Sequence, residues 1–139
     1  MIYYFKVKQK HINEGQRPFG HFDWDKGLFR GNSCPVARAI KDTFKEKLIR
    51  VSNNGFTTFK GTKDEGSYGG FVVYLSNAAL AFVREADDIR SSEHPFNLEP
   101  GIFFISSPDR ALSYRSRKLT KEIEWLNVAG GDVSSVAPD

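Results

Sequence analysis

Hydrophobic and polar residues alternate along residues 2–10, and this period of two predicts a β-strand. One face of the strand is aromatic and aliphatic. The other face is a row of lysines, which suits a solvated sheet face or a protected sheet edge. The apolar face consists of Tyr3, Phe5 and Val7, and the lysine face consists of Lys6, Lys8 and Lys10.

Residues 34–47 repeat their apolar positions every four residues, which predicts an amphipathic helix. Ser33 can cap this helix, and Pro35 suits its first turn because an N–H there has no intrahelical partner. A second amphipathic helix is predicted over residues 77–90. The apolar stripes are Val36, Ile40 and Phe44 in the first helix and Ala79, Leu80, Phe82, Val83, Ala86 and Ile89 in the second.

Four further apolar runs predict strands, and the Asn53-Asn54-Gly55 turn between the first two runs predicts a hairpin. The third run is apolar throughout, which predicts a central strand, and the fourth predicts another buried strand. Residues 11–32 are rich in glycine and aromatic residues, which predicts an irregular loop. The four runs are 48–51, 56–59, 71–75 and 101–106.

Ser107-Pro108-Asp109 has the residue types of a helix start: a cap, a proline for the first turn, and an acid at the positive end of the helix dipole. This predicts a basic helical extension over 107–127, followed by a disordered tail over 130–139. The order β-α-β-β-β-α-β-α predicts a single α+β domain over 1–129. It would have a mainly antiparallel sheet of about five strands, with two to three helices packed on one face.

Composition limits the class of protein. The chain has 139 residues, enough for one domain with a core dominated by its 12 Phe. A single cysteine excludes an intrachain disulfide, and the histidines are scattered, so neither a metal site nor a cofactor is expected. No apolar run approaches the ~20 residues of a membrane span, and the N-terminus shows no signal-peptide pattern. These features predict a cytoplasmic protein that has no membrane partner.

The net charge of +3 is concentrated near the C-terminus, where residues 107–121 contain five basic residues and one acid. Cations beside a tyrosine suit phosphate contacts and base stacking. They also suit an acidic protein partner or an ordinary solvated helix face. We call residues 110–121 the basic segment, and its candidate binding residues are Arg110, Tyr114, Arg115, Arg117, Lys118 and Lys121.

Two other candidate sites lie in or beside the loop before the first helix. Phe22 and Trp24 predict a packing or binding surface, because aromatic residues in so long a loop need something to contact. Cys34 is the candidate nucleophile, with His21 as the nearest base in sequence. A cysteine at the start of a helix needs no reaction to explain it, because free cysteines are commonly buried and inert. A structural role for Cys34 is therefore favoured.

Four short motifs occur along residues 2–98. They are His11-Ile12-Asn13-Glu14-Gly15 after the first strand, Cys34-Pro35-Val36-Ala37, the helical run 75–83, and His94-Pro95-Phe96. This set resembles a group of small tailed-phage proteins of unknown function that share a Cys-Pro-Ile/Val-Ala helix start. The resemblance implies a phage-encoded accessory protein acting inside a bacterial cell, and it brings no catalytic residue with it. The basic segment lies outside it.

The leading hypothesis is a non-catalytic phage accessory protein with a role in host takeover or counter-defence. It would bind a host protein, a nucleic acid or a nucleotide ligand through the basic segment. One alternative is a small enzyme that uses Cys34 as a nucleophile. A second alternative is a structural protein that forms homo-oligomers by pairing exposed strands across a two-fold axis.

Overall fold

A computed structural model describes residues 1–15, 33–61, 70–92 and 98–115. Within these ranges the chain forms five strands and three helices. In chain order they are β1 (Ile2–Val7), α1 (Gln9–Gly15), α2 (Pro35–Thr43), β2 (Leu48–Val51), β3 (Phe56–Lys60), β4 (Gly70–Leu75), α3 (Asn77–Ser92) and β5 (Gly101–Ser106).

The five strands form one antiparallel sheet in the order β1-β5-β4-β3-β2, so the predicted α+β class is confirmed. Strand β4 is central, as predicted from its continuous apolar run. It pairs with β5 only through Tyr74 and Leu75, which lie opposite Ser106 and Ile105. The predicted hairpin joins β2 and β3, and Gly55 in its turn has a φ of 101°, where a Cβ would be unfavourable.

Two helices cover one face of the sheet, which we call the inner face. Helix α2 packs against β1 and β2, and α3 packs against β4 and β5. Alternate residues of the strands are buried there because successive side chains of a strand point to opposite faces. The buried inner-face residues are Tyr3, Phe5, Val7, Leu48, Val51, Thr57, Phe59, Val73, Leu75, Phe103 and Ile105.

Phe44, which follows α2, joins the helix layer to the sheet. Its ring is fully buried, with centroids 6.0 Å from Tyr3, 6.2 Å from Phe59 and 5.3 Å from Tyr114. Burial of a phenylalanine side chain contributes roughly 1.5–3 kcal/mol, and edge-to-face pairs add to it. This aromatic cluster ties β1, β3 and the segment after β5 into one core.

Helix α1 occupies residues that the sequence pattern assigns to the end of a strand and to an irregular loop, so that prediction is wrong there. The helix begins at Gln9, and the Nδ1 atom of His11 accepts a hydrogen bond from the Lys8 N–H at 2.9 Å. It ends at Gly15, where an added Cβ would lie 2.5 Å from Pro35 Cδ. A histidine in the capping role and a close contact with α2 therefore define this helix.

The predicted third helix is absent from residues 107–115, which follow an extended, bent path. Backbone donors of this segment are bonded to distant groups instead of to helix carbonyls. Ser107 N–H donates to the Met1 carbonyl, and Leu112 N–H donates to the Tyr3 hydroxyl at 2.8 Å. The predicted remainder of this helix, 116–127, and the predicted tail, 130–139, lie outside the described residues.

Candidate binding surface

The outer face of the sheet, opposite the two helices, is apolar and aromatic. Ile2 is 66% exposed, Tyr74 is 53% exposed and Val72 is 42% exposed. Contiguous exposed apolar surface of this kind is typical of a contact site in a soluble protein. The strand register places the following side chains on the outer face: Ile2, Tyr4, Lys6, Phe56, Thr58, Lys60, Val72, Tyr74, Ile102, Phe104 and Ser106.

Four aromatic side chains of the outer face lie on four neighbouring strands. Tyr4 and Phe104 are direct partners, and their rings meet edge to face at 4.7 Å. Tyr74 and Phe56 are direct partners on β4 and β3. Because Ser106 lies opposite Tyr74, Phe104 is one diagonal step from Tyr74. The four rings thus form a diagonal row from β1 to β3.

The charged side chains that the described strands place on the outer face are all basic. The five described strands contain no Asp or Glu, and their three charged residues are Lys6, Arg50 and Lys60. Arg50 lies opposite Thr58 and Lys60 opposite Gly70, and both basic side chains are exposed. Lys6 is half-buried at the opposite corner, across from Ile102. Basic groups therefore flank the aromatic row on both sides.

The described residues of the basic segment make contacts within the fold. Arg110 pairs with Glu46 at 3.1 Å and lies 4.2 Å from the centre of the Phe71 ring. Arg115 donates from Nε to the carbonyl of Phe44, and its own N–H donates to the Thr43 carbonyl. Both arginines therefore help to fasten the segment after β5 against α2 and the sheet.

Tyr114 is half-buried beside two other rings, with its centroid 5.3 Å from Tyr3 and 5.3 Å from Phe44. Burial, reinforced by the neighbouring Tyr3, raises the pKa of the Tyr114 hydroxyl well above its ordinary value. The remaining predicted binding residues lie outside the described residues, and their roles stay predictions. They are Arg117, Lys118 and Lys121 of the basic segment and Phe22 and Trp24 of the loop.

Cys34 is the N-cap of α2, a position that the sequence pattern gives to Ser33. Its side chain is 1% exposed, and its Sγ atom accepts a hydrogen bond from Ala37 N–H at 3.4 Å. Pro35 occupies the first turn as predicted. The sulfur thus satisfies a helix-start donor in a buried position. His21, the base predicted for it, lies outside the described residues.

A contact between the buried His11 and the exposed Asp42 joins α1 to α2, and sequence reasoning missed it. The Nε2–H of His11 donates to Asp42 Oδ2 at 2.6 Å, because Nδ1 already accepts from the Lys8 backbone. Lys10 pairs with the same oxygen at 3.2 Å. Burial works to raise the pKa of Asp42, but the hydrogen bonds from His11 and Lys10 outweigh it and hold the pKa below its ordinary value. With both ring nitrogens engaged, this histidine is suited to a structural role.

The described ranges hold no group of three His, Cys, Asp or Glu side chains that could bind a metal ion. Within the same ranges no helix is long and apolar enough to cross a membrane. No family model, curated protein or solved structure matches this chain. The outer face of the sheet is the feature on which a functional proposal can be built.

Proposed function

We propose that this protein is a non-catalytic phage accessory protein that binds nucleic acid through the outer face of its sheet in the bacterial cytoplasm. The observation that carries the binding proposal is the row of aromatic rings flanked by cations on a sheet without acidic residues. Phosphate chains are attracted by such cations, and aromatic rings offer flat surfaces to bases. The phage setting is carried by the sequence resemblance alone.

Charge complementarity favours nucleic acid over a second copy of the chain. A two-fold pairing of outer faces would bring the basic flanks of both copies into one interface, and like charges at close range are unfavourable. The exposed Ile2 and Val72 side chains are the observation that favours a homo-oligomer as a second candidate. The oligomeric state is therefore measured alongside nucleic-acid binding.

The catalytic alternative has weaker support than the binding proposal. Cys34 is buried and caps a helix, and both ring nitrogens of His11 are already hydrogen-bonded. A cysteine nucleophile needs an accessible sulfur and a base within hydrogen-bond reach. The described residues thus support a binding role more strongly than a reaction at Cys34.

The proposal is tested by capture of nucleic acid from bacterial lysate on immobilised protein, with nuclease-treated and untreated samples. Arg50→Glu/Lys60→Glu reverses two exposed charges of the outer face. Lys45→Glu/Arg84→Glu is the matched control, because it makes the same change in net charge at exposed positions outside the sheet. Nucleic acid should be retained by the wild type and the control and lost from the outer-face variant.

Salt dependence provides a quantitative form of the same test. Loss of two phosphate contacts should reduce the slope of log affinity against log salt concentration by roughly 1.4 for a single strand and roughly 1.8 for a duplex. Equal retention and equal slopes for the two double variants would overturn the assignment of the outer face. Captured material that resists nuclease and consists of protein would overturn the choice of nucleic acid.

A further inference from the structure

We infer that the ligand of the outer face is a single strand of nucleic acid whose bases stack on Tyr74, Phe56 and Phe104. This inference rests on the proposed function and specifies its ligand. The distinction matters because phosphates occur in every nucleic acid, whereas accessible base faces occur only where bases are unstacked. The geometry that carries it is the position of the aromatic rings between the basic residues.

The position of the rings matches a stacking platform, in which Tyr74 is exposed and Phe56 and Phe104 are partly buried. Tyr74 is about half exposed and lies beside Phe56 on the neighbouring strand, where side chains of direct partners have Cβ atoms roughly 4.5–5.5 Å apart. Phe104 extends the row by one diagonal step. The row spans three strand spacings, roughly 15 Å, and other sheet-based modules stack two or three bases on a sheet of four strands.

The basic residues lie where the phosphates of such a strand would pass. Lys60 is four residues from Phe56 on β3, roughly 13 Å along the strand, and Arg50 is on the adjacent β2. Lys6 is two residues from Tyr4 on β1, at the other end of the row. A strand laid diagonally across the sheet would therefore pass over the rings and reach the exposed Arg50 and Lys60 at one end.

A duplex fits this surface less well. Its bases are covered by their neighbours in the stack, so a flat sheet would contact its phosphates only, and the four rings would contribute little. The aromatic residues would then face solvent or sugar edges without a favourable contact. A single strand can contact both the rings and the cations, because its unstacked bases can lie on aromatic side chains while its phosphates lie near basic groups.

The inference is tested by fluorescence anisotropy with three labelled probes. They are an oligothymidine of about fifteen residues, a duplex of the same length, and an abasic phosphate chain of the same length. The wild type should bind the oligothymidine at least about tenfold more tightly than either other probe. Tyr74→Ala should lose about tenfold in oligothymidine affinity, and Tyr74→Phe should retain it, because a ring without the hydroxyl still stacks.

The outcomes separate this inference from the proposed function. One outcome is that all three probes bind with equal affinity and that Arg50→Glu/Lys60→Glu alone lowers that affinity. In that case the face binds phosphates, so the proposed function stands and the single-strand inference is overturned. If no probe binds, both are overturned. If light scattering gives the mass of a dimer that Tyr74→Ala converts to monomer, a second copy occupies the face, and both are again overturned. Unfolding curves of each variant show whether a loss of binding reflects a loss of fold.

Discussion

The contact between His11 and Asp42 shows how a single residue can set a local structure that sequence patterns do not predict. The two residues are 31 positions apart, and no sequence motif contains both of them. His11 supplies the acceptor for the Lys8 N–H at the start of α1, a role that Glu or Gln usually fills in a capping box. The sequence does not show that Asp42 lies near His11, so residues 9–15 have the pattern of an irregular connection.

Asp42→Ala should reduce the free energy of unfolding by about 1–3 kcal/mol at neutral pH. The physical reason is that the Nε2–H of the buried His11 would lose a charged acceptor. Chemical denaturation of the variant and the wild type provides the measurement. Asp109→Ala, at an exposed carboxylate, is the control and should change stability little.

The same contact predicts a pH dependence with a definite sign. The pKa of Asp42 is lower in the folded protein than its ordinary value of 3.8. Its contribution to stability is therefore complete above pH 3.8 and is lost as the pH falls through the folded pKa. The difference in stability between wild type and Asp42→Ala should narrow in that acid range. A difference that grows on acidification would contradict the hydrogen-bonding scheme.

Among the elements, α2 was predictable because its signals are local. The four-residue apolar repeat and the proline of the first turn are both visible in the sequence. Two details of the prediction are wrong: the cap is Cys34 rather than Ser33, and the helix ends at Thr43 rather than near residue 47. A cysteine ranks low among expected N-cap residues, so the sequence pattern favoured the serine before it.

Cys34 should react slowly with iodoacetamide in the native protein and rapidly in guanidinium, because its sulfur is buried and hydrogen-bonded. Mass spectrometry of time points under the two conditions measures the ratio of rates. Cys34→Ser should retain nucleic-acid binding, since a serine hydroxyl can also cap the helix. Equal reaction rates in the native and unfolded states, or loss of nucleic-acid binding in Cys34→Ser, would instead favour the enzyme alternative.

The segment 107–115 shows the opposite case, in which good local signals were overridden. Its serine, proline and aspartate suit a helix start, yet the chain forms an antiparallel bridge between Tyr114 and Phe44. Lys45 N–H donates to the Ser113 carbonyl beside this bridge. The partners of these groups lie far away in sequence. Local propensity alone could not predict that long-range hydrogen bonds would outweigh it.

At the scale of the whole molecule, the sequence predicted the fold class and the approximate strands but missed the candidate binding surface. The absence of acids from the strands is visible in their sequences. The set of residues on one face, however, depends on how strands that are distant in sequence are aligned, as where Tyr74 lies opposite Ser106. Strand β4 was predicted as a central apolar strand, yet its Val72 and Tyr74 side chains face outward. The concentration of basic residues near the C-terminus favoured the basic segment as the binding surface instead.

Photo-crosslinking tests the central claim, that the outer face of the sheet binds single-stranded nucleic acid, most directly. The intact protein is irradiated with an oligothymidine that carries 4-thiothymidine, and crosslinked residues are identified by mass spectrometry. Crosslinks should fall on β3, β4 and β5, at Phe56, Tyr74 and Phe104, and an excess of unlabelled oligothymidine should abolish them. Crosslinks confined to the basic segment, or none at all under conditions that saturate binding, would contradict the account.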